Sequence, residues 1–131
     1  MTSIHSEDSS FLSNDVRDAL QALCSLKGED FVPDGPGTSL YQRRLDELTD
    51  RQLIGVYVLI KVAETLHARG TDFHQLSKAE VLREVALMRD ATHRKHSRHE
   101  LLKQLGSLGV DTAKSVLADG LMLASMSTQD A

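Results

Sequence analysis

The sequence predicts an all-α protein, a compact bundle of five to six helices around one long, mostly buried helix, and three observations carry that prediction. Three segments open with a Ser or Thr followed three residues later by Glu or Gln: Thr49 with Gln52, Ser77 with Glu80, and Ser97 with Glu100. That spacing lets the first side chain accept from the helix while the second reaches back, so each pair marks a helix start. Apolar residues recur at intervals of three and four between these marks, the period of one helix face. Turn-forming residues are gathered together: both prolines and three of the eight glycines fall in residues 28–37.

The first helix is expected to begin after Ser13 or Asn14 and to reach Lys27, where Gly28 offers a left-handed stop. Val16, Ala19, Leu20, Leu23 and Leu26 give it one apolar face, and Cys24 lies beside that face as core filling. Residues 28–37 then form a connector that Phe31 and Val32 are expected to pin to the core. Ser39 to Leu48 reads as a short helix.

The longest element runs from Asp50 to about Arg69. Ten of the fourteen residues from Leu53 to Leu66 are apolar and occupy almost the whole helical circumference, so this helix must be surrounded. The β-branched run LIGVYVLI also resembles a buried strand. The capping pattern before it and the helix-favouring KVAETLHAR after it decide for helix, and Gly70 ends it.

A further helix starts at Ser77, carries Val81, Leu82, Val85 and Met88, and reaches about Thr92. Another starts at Ser97, carries Leu101, Leu102, Leu105 and Leu108, and stops between Gly106 and Gly109. The last is expected to take Asp111 as its N-cap and to run through Met126. Residues 1–13 read as a flexible tail, 14–126 as one helical domain, and 127–131 as a frayed end.

Composition narrows the function classes. The net charge is −4, which argues against a general polyanion binder. The charge is uneven, net −6 over residues 1–50 and net +2 over 51–131, so a local basic patch is compatible with it. A lone cysteine makes no intramolecular disulfide, and a reducing cytoplasm is the expected location. The first fifteen residues lack the basic start and apolar stretch of a secretory signal. The longest apolar run, Leu53 to Ile60, is too short to cross a bilayer.

The segment HRKHSRH, residues 93–99, concentrates three histidines and three cations. His93, His96 and His99 are enough imidazoles for zinc, but helical spacing spreads the first and last by about 120°, and Ser97 interrupts the helix between them. No metal and no cofactor is expected. Arg94, Lys95 and Arg98 beside a new helix start suit an anion or DNA contact, and the flanking helices have the order of a helix-turn-helix. HELLKQLGSL, however, offers few side chains that read base edges. The plainer alternative is a solvated helix junction whose cations complement a helix dipole.

No nucleophile elbow, phosphate-cradling glycine loop or HExxH motif is present. His67 and His74 flank Gly70 and Asp72, an arrangement that suits helix-end and loop roles better than acid–base work. A histidine-phosphotransfer bundle would need its histidine in mid-helix, whereas His67 stands at a helix end.

The expected function is therefore that of a non-enzymatic cytoplasmic regulatory or adaptor protein, antiactivator-like or small chaperone-like. It would bind another protein through apolar helix faces, as a homodimer. The final helix motivates this, because Asp119 is the only charge between Ser115 and Met126. Its stripe of Ala113, Val116, Leu117, Gly120, Leu121, Leu123 and Ala124 is the expected partner or dimer interface. The alternative is a dimeric DNA-binding regulator that uses Arg94, Lys95 and Arg98.

Overall fold

The structure, a computed structural model, describes the backbone of residues 14–33 and 35–128, and their side chains except those of 93–95, 127 and 128. The expected tail at 1–13 lies outside these residues, as do 129–131. Among the described residues six α-helices follow in order: α1 Asn14–Cys24, α2 Leu40–Asp46, α3 Asp50–Ala68, α4 Lys78–Lys95, α5 Arg98–Gly106 and α6 Val110–Thr128. Short 3-10 turns occur at Gly28–Phe31 and Phe73–Gln75, and there is no strand among the described residues. No helix of the described residues is long and apolar enough to cross a membrane.

α3 is the centre of the bundle. From Leu53 to Leu66 it buries Leu53, Val56, Val58, Leu59, Ile60 and Val62 among others, and α1, α4, α5 and α6 all pack on it. A strand of the same residues would bury two faces, but only a helix with neighbours on every side hides an all-round apolar surface. α6 lies against both α1 and α3, and α2 sits apart, against α5 and the 28–31 turn.

Close packing at the α1–α3 contact depends on Gly55. A Cβ there would stand 2.6 Å from Val16 Cγ2 and 2.8 Å from Cγ1, inside van der Waals contact. The missing side chain therefore sets the distance between these two helices.

The helix ends follow from local chemistry. Thr49 and Ser77 form full capping boxes with Gln52 and Glu80, as their spacing predicts. At α5 the pattern is half realised. Ser97 Oγ accepts from the Glu100 N–H at 3.2 Å, but the Glu100 carboxylate accepts from Gln104 Nε2 at 3.0 Å. A third full box, Ser39 with Gln42, opens α2. Gly70 adopts φ +75° and closes α3 in a Schellman arrangement: its N–H donates to His67 O, and the Thr71 N–H donates to Leu66 O, both at 3.0 Å.

Several boundaries differ from expectation. α1 stops at Cys24, because the Ser25 side chain turns back to Ala22 O at 2.7 Å and Gly28 opens a 3-10 turn with a φ that is not positive. α4 continues past Thr92 to Lys95. α6 begins at Val110, with the Ala113 N–H donating to Gly109 O at 2.8 Å, so Asp111 sits in the first turn and is not its N-cap. There its charge complements the free N–H groups of the helix start. Phe31 reaches the core and packs on Tyr41 with ring centroids 4.6 Å apart, but Val32 is 57% exposed.

Candidate functional site

The stripe expected as a partner interface lies largely inside the protein. Ala113, Leu117, Leu123 and Ala124 are buried in the same core as α1 and α3, and Val116 is 9% exposed. Gly120 is also buried, and a Cβ there would meet Leu20 at 3.5 Å and Ile60 at 3.6 Å. Leu121 is half-buried and packs against the core edge. The apolar face of α6 is thus covered by the protein's own helices, and a partner would reach it only by displacing α6.

The basic segment is also dispersed. Arg98 donates to Asp50 Oδ1 at 2.8 Å and to the carbonyl of Asp46 at 2.7 Å. Asp46 ends α2 and Asp50 begins α3, so the guanidinium ties α5 to the joint between those helices. It also places positive charge at a helix C-terminus, where it is favourable. The side chains of His93, Arg94 and Lys95 lie outside the described residues. His96 is the C-cap of α4, its ring 5.3 Å from that of Tyr57, and its Nδ1 is buried without a hydrogen-bond partner among the described residues. His99 is exposed on α5. Among the described residues no three metal-ligating side chains come together. His67 and His74 are both exposed.

Two polar networks hold the described helices in register. The Tyr41 hydroxyl, buried, donates to Leu105 O at 2.9 Å, and Gln42 Nε2 donates to Gly106 O at 3.1 Å. Side chains of α2 thereby donate to carbonyls in the last turn of α5, where the helix's own hydrogen bonding runs out. Burial pushes the Tyr41 phenol up, so it remains a donor throughout the ordinary pH range. The Tyr57 hydroxyl donates to Gln104 Oε1 at 2.8 Å, which links α3 to α5. Burial raises the Cys24 thiol, which suits a half-buried packing residue.

These bonds leave a groove between α2 and α5, an open cavity of about 510 Å³. Leu102, half-buried, supplies its leucine surface above the buried Leu45; Arg43, Asp46 and Glu47 stand on the α2 side, and Lys103 and His99 stand on the α5 side. A volume of this order is in the range of small ligand pockets. The spacing of the leucines in α5 gave a signal for it. Leu101 and Leu105 share the buried face, whereas Leu102 is turned about 100° away and remains half-exposed. The other wall could not be foreseen, because residues 38–47 and 99–103 are distant in the chain and come together only in the folded protein.

A separate, smaller cavity of about 90 Å³ lies between Asp50, Ile54, His96 and Arg98. It has room for water. Outside these depressions the large apolar side chains most open to solvent among the described residues are Leu87, Val32 and Met122. No protein-family model, curated protein or solved structure matches the chain.

Proposed function

We propose that this protein is a non-enzymatic regulatory or adaptor protein of the cytoplasm that acts by binding another protein. The α2–α5 groove carries the proposal. It is an open trough with the half-buried Leu102 in its lining and charged side chains around it, the layout of a surface that seats a partner's apolar side chain inside a polar rim. The two helices that form it are fixed to each other by side-chain to backbone bonds, so the surface is preformed and binding loses little freedom. The lone Cys24 fits a reducing compartment. Homodimerisation belongs to the same proposal. Leu87 on α4 and Met122 on α6 are exposed apolar side chains available to a second copy, in place of the covered stripe of α6.

A photo-crosslinking amino acid placed at Lys103, on the groove rim, is expected to trap a discrete polypeptide in cells that produce the protein. The same group at Lys114, exposed on α6, should not trap it. At Leu87 it should give an adduct of twice the chain mass. Strictly monomeric light scattering with no adduct from either Lys103 or Leu87 would contradict the proposal.

A further inference from the structure

We infer that two copies of the chain pair antiparallel along α4, about a two-fold axis between Ala86 and Leu87 that sets Arg83 of each chain against the partner's Asp90. The inference rests on the homodimer proposed above and adds its face, orientation and register. Arg83, Ala86, Leu87 and Asp90 are all exposed, and at about 100° per residue they fall within an arc of about 100° on α4. Leu87, 64% exposed, is the large apolar side chain most open to solvent among the described residues. Val81 and Val85 of the same helix are buried in the core, so this arc is the face that α4 presents outward.

The charges on the arc select the occupant. Arg83 and Asp90 are seven residues apart, so they stand nearly in line along the helix, at equal distances from the midpoint of Ala86 and Leu87. Two such faces laid antiparallel about that midpoint make the Arg83–Asp90 contact twice and bring the two Leu87 side chains together beside the small Ala86 pair. A parallel pairing would instead set the two Arg83 side chains together and the two Asp90 side chains together. An antiparallel pairing centred on either charged residue would likewise oppose like charges, which disfavours it. Contacts within the chain leave the face open: the Asp90 carboxylate, 60% exposed, is 3.9 Å from the Arg89 guanidinium, and Arg83 attracts Glu80 one turn earlier. Such contacts along an exposed helix are weak and are compatible with a second partner across the seam. Glu84, next to Arg83, is engaged by Arg69 of the α3 C-cap at 3.3 Å. With one cation and one acid, the arc has no net attraction for a polyanion or an anionic membrane. One helix seam is a small interface, so the pairing is expected to be reversible and to depend on concentration.

The test is sedimentation equilibrium of the full chain over a range of concentrations. Arg83→Glu alone and Asp90→Arg alone each place like charges at both contacts, and each is expected to weaken self-association at least about tenfold. Mixing the Arg83→Glu chain with the Asp90→Arg chain makes both contacts attractive again, so the mixed dimer should form as tightly as the parent dimer. Both positions are exposed, and far-UV circular dichroism establishes that each variant keeps its helix content. A parent dimer that neither substitution weakens, or two weakened chains that fail to associate when mixed, would overturn this pairing while leaving homodimerisation intact. A parent that stays monomeric at every concentration would overturn the pairing and the homodimer together, and the Lys103 adduct then decides separately whether another protein binds.

Discussion

Gly55 shows how one absent side chain organises the interior. Glycine in mid-helix costs about 1 kcal/mol relative to alanine in propensity, so a central helix that retains one must gain elsewhere. The gain is proximity: Val16 fills the space a Cβ would need. Val16 is buried and β-branched, so it has no free rotamer into which it can retreat. Gly55→Ala is therefore expected to destabilise the protein by about 1–2 kcal/mol in urea unfolding, since overpacking outweighs the propensity gain. Combining it with Val16→Ala should recover part of the loss, because the new methyl occupies space that the valine gives up. A double-mutant cycle with no favourable coupling would show that the contact is not the cause. The sequence displayed the glycine inside an apolar helix, but not its partner, 39 positions earlier. Arg98 was opaque for the same reason. Its neighbours in the chain are basic and suggested an anion site, whereas its actual partners are Asp50 and the Asp46 carbonyl.

At the scale of elements, the chain is most readable where the governing interactions span three or four residues. Caps of this kind placed the starts of α3, α4 and α5, and the apolar period identified the inward face of each helix. The Ser39–Gln42 pair carried the same signal and opens α2. Gly28 was misread as a left-handed stop because a glycine after an apolar run permits that conformation without requiring it. The caps also predict a pH dependence. Hydrogen bonds from the Ser77 backbone and side chain hold the Glu80 carboxyl below its usual value of 4.5, and the bond from Gln104 does the same for Glu100. A lowered folded-state pKa means that the contribution is present above 4.5 and is lost as pH falls through the folded value. Thermal melts from pH 7 to pH 3 should therefore show Glu80→Gln less stable than the parent at neutral pH and converging with it in acid. A constant difference across that range would assign the effect to shape and not to charge.

For the whole molecule, the main question left by the sequence was what covers its surplus apolar surface. Periodicity tells which face of a helix is apolar but not whether a neighbouring helix or another molecule lies upon it. For α6 the answer is α1 and α3: Leu117, Leu123 and Ala124 complete the shell around the central helix. Four helices pack on α3; Gly55 brings one of them close, and α6, nineteen residues long, lies against both α1 and α3. Among the described residues the exposed features that remain for a partner include the α2–α5 groove and, besides Val32 in the connector, the isolated side chains Leu87 and Met122. Neither belongs to a large continuous apolar stripe, and single exposed apolar residues are common on protein surfaces. The groove has the stronger claim as a docking site, because its apolar and charged groups converge on one concavity.

Residue-resolved amide hydrogen exchange over a range of protein concentrations tests the central claim most directly, namely that the α6 stripe is core and the groove is the free surface. Amides from Val116 to Ala124 should exchange with the slow, globally limited class together with Val56 to Val62 of α3, at rates that do not change on dilution. Faster exchange in α6 on dilution, with α3 unaffected, would mean that a second chain covers the stripe and would contradict the account.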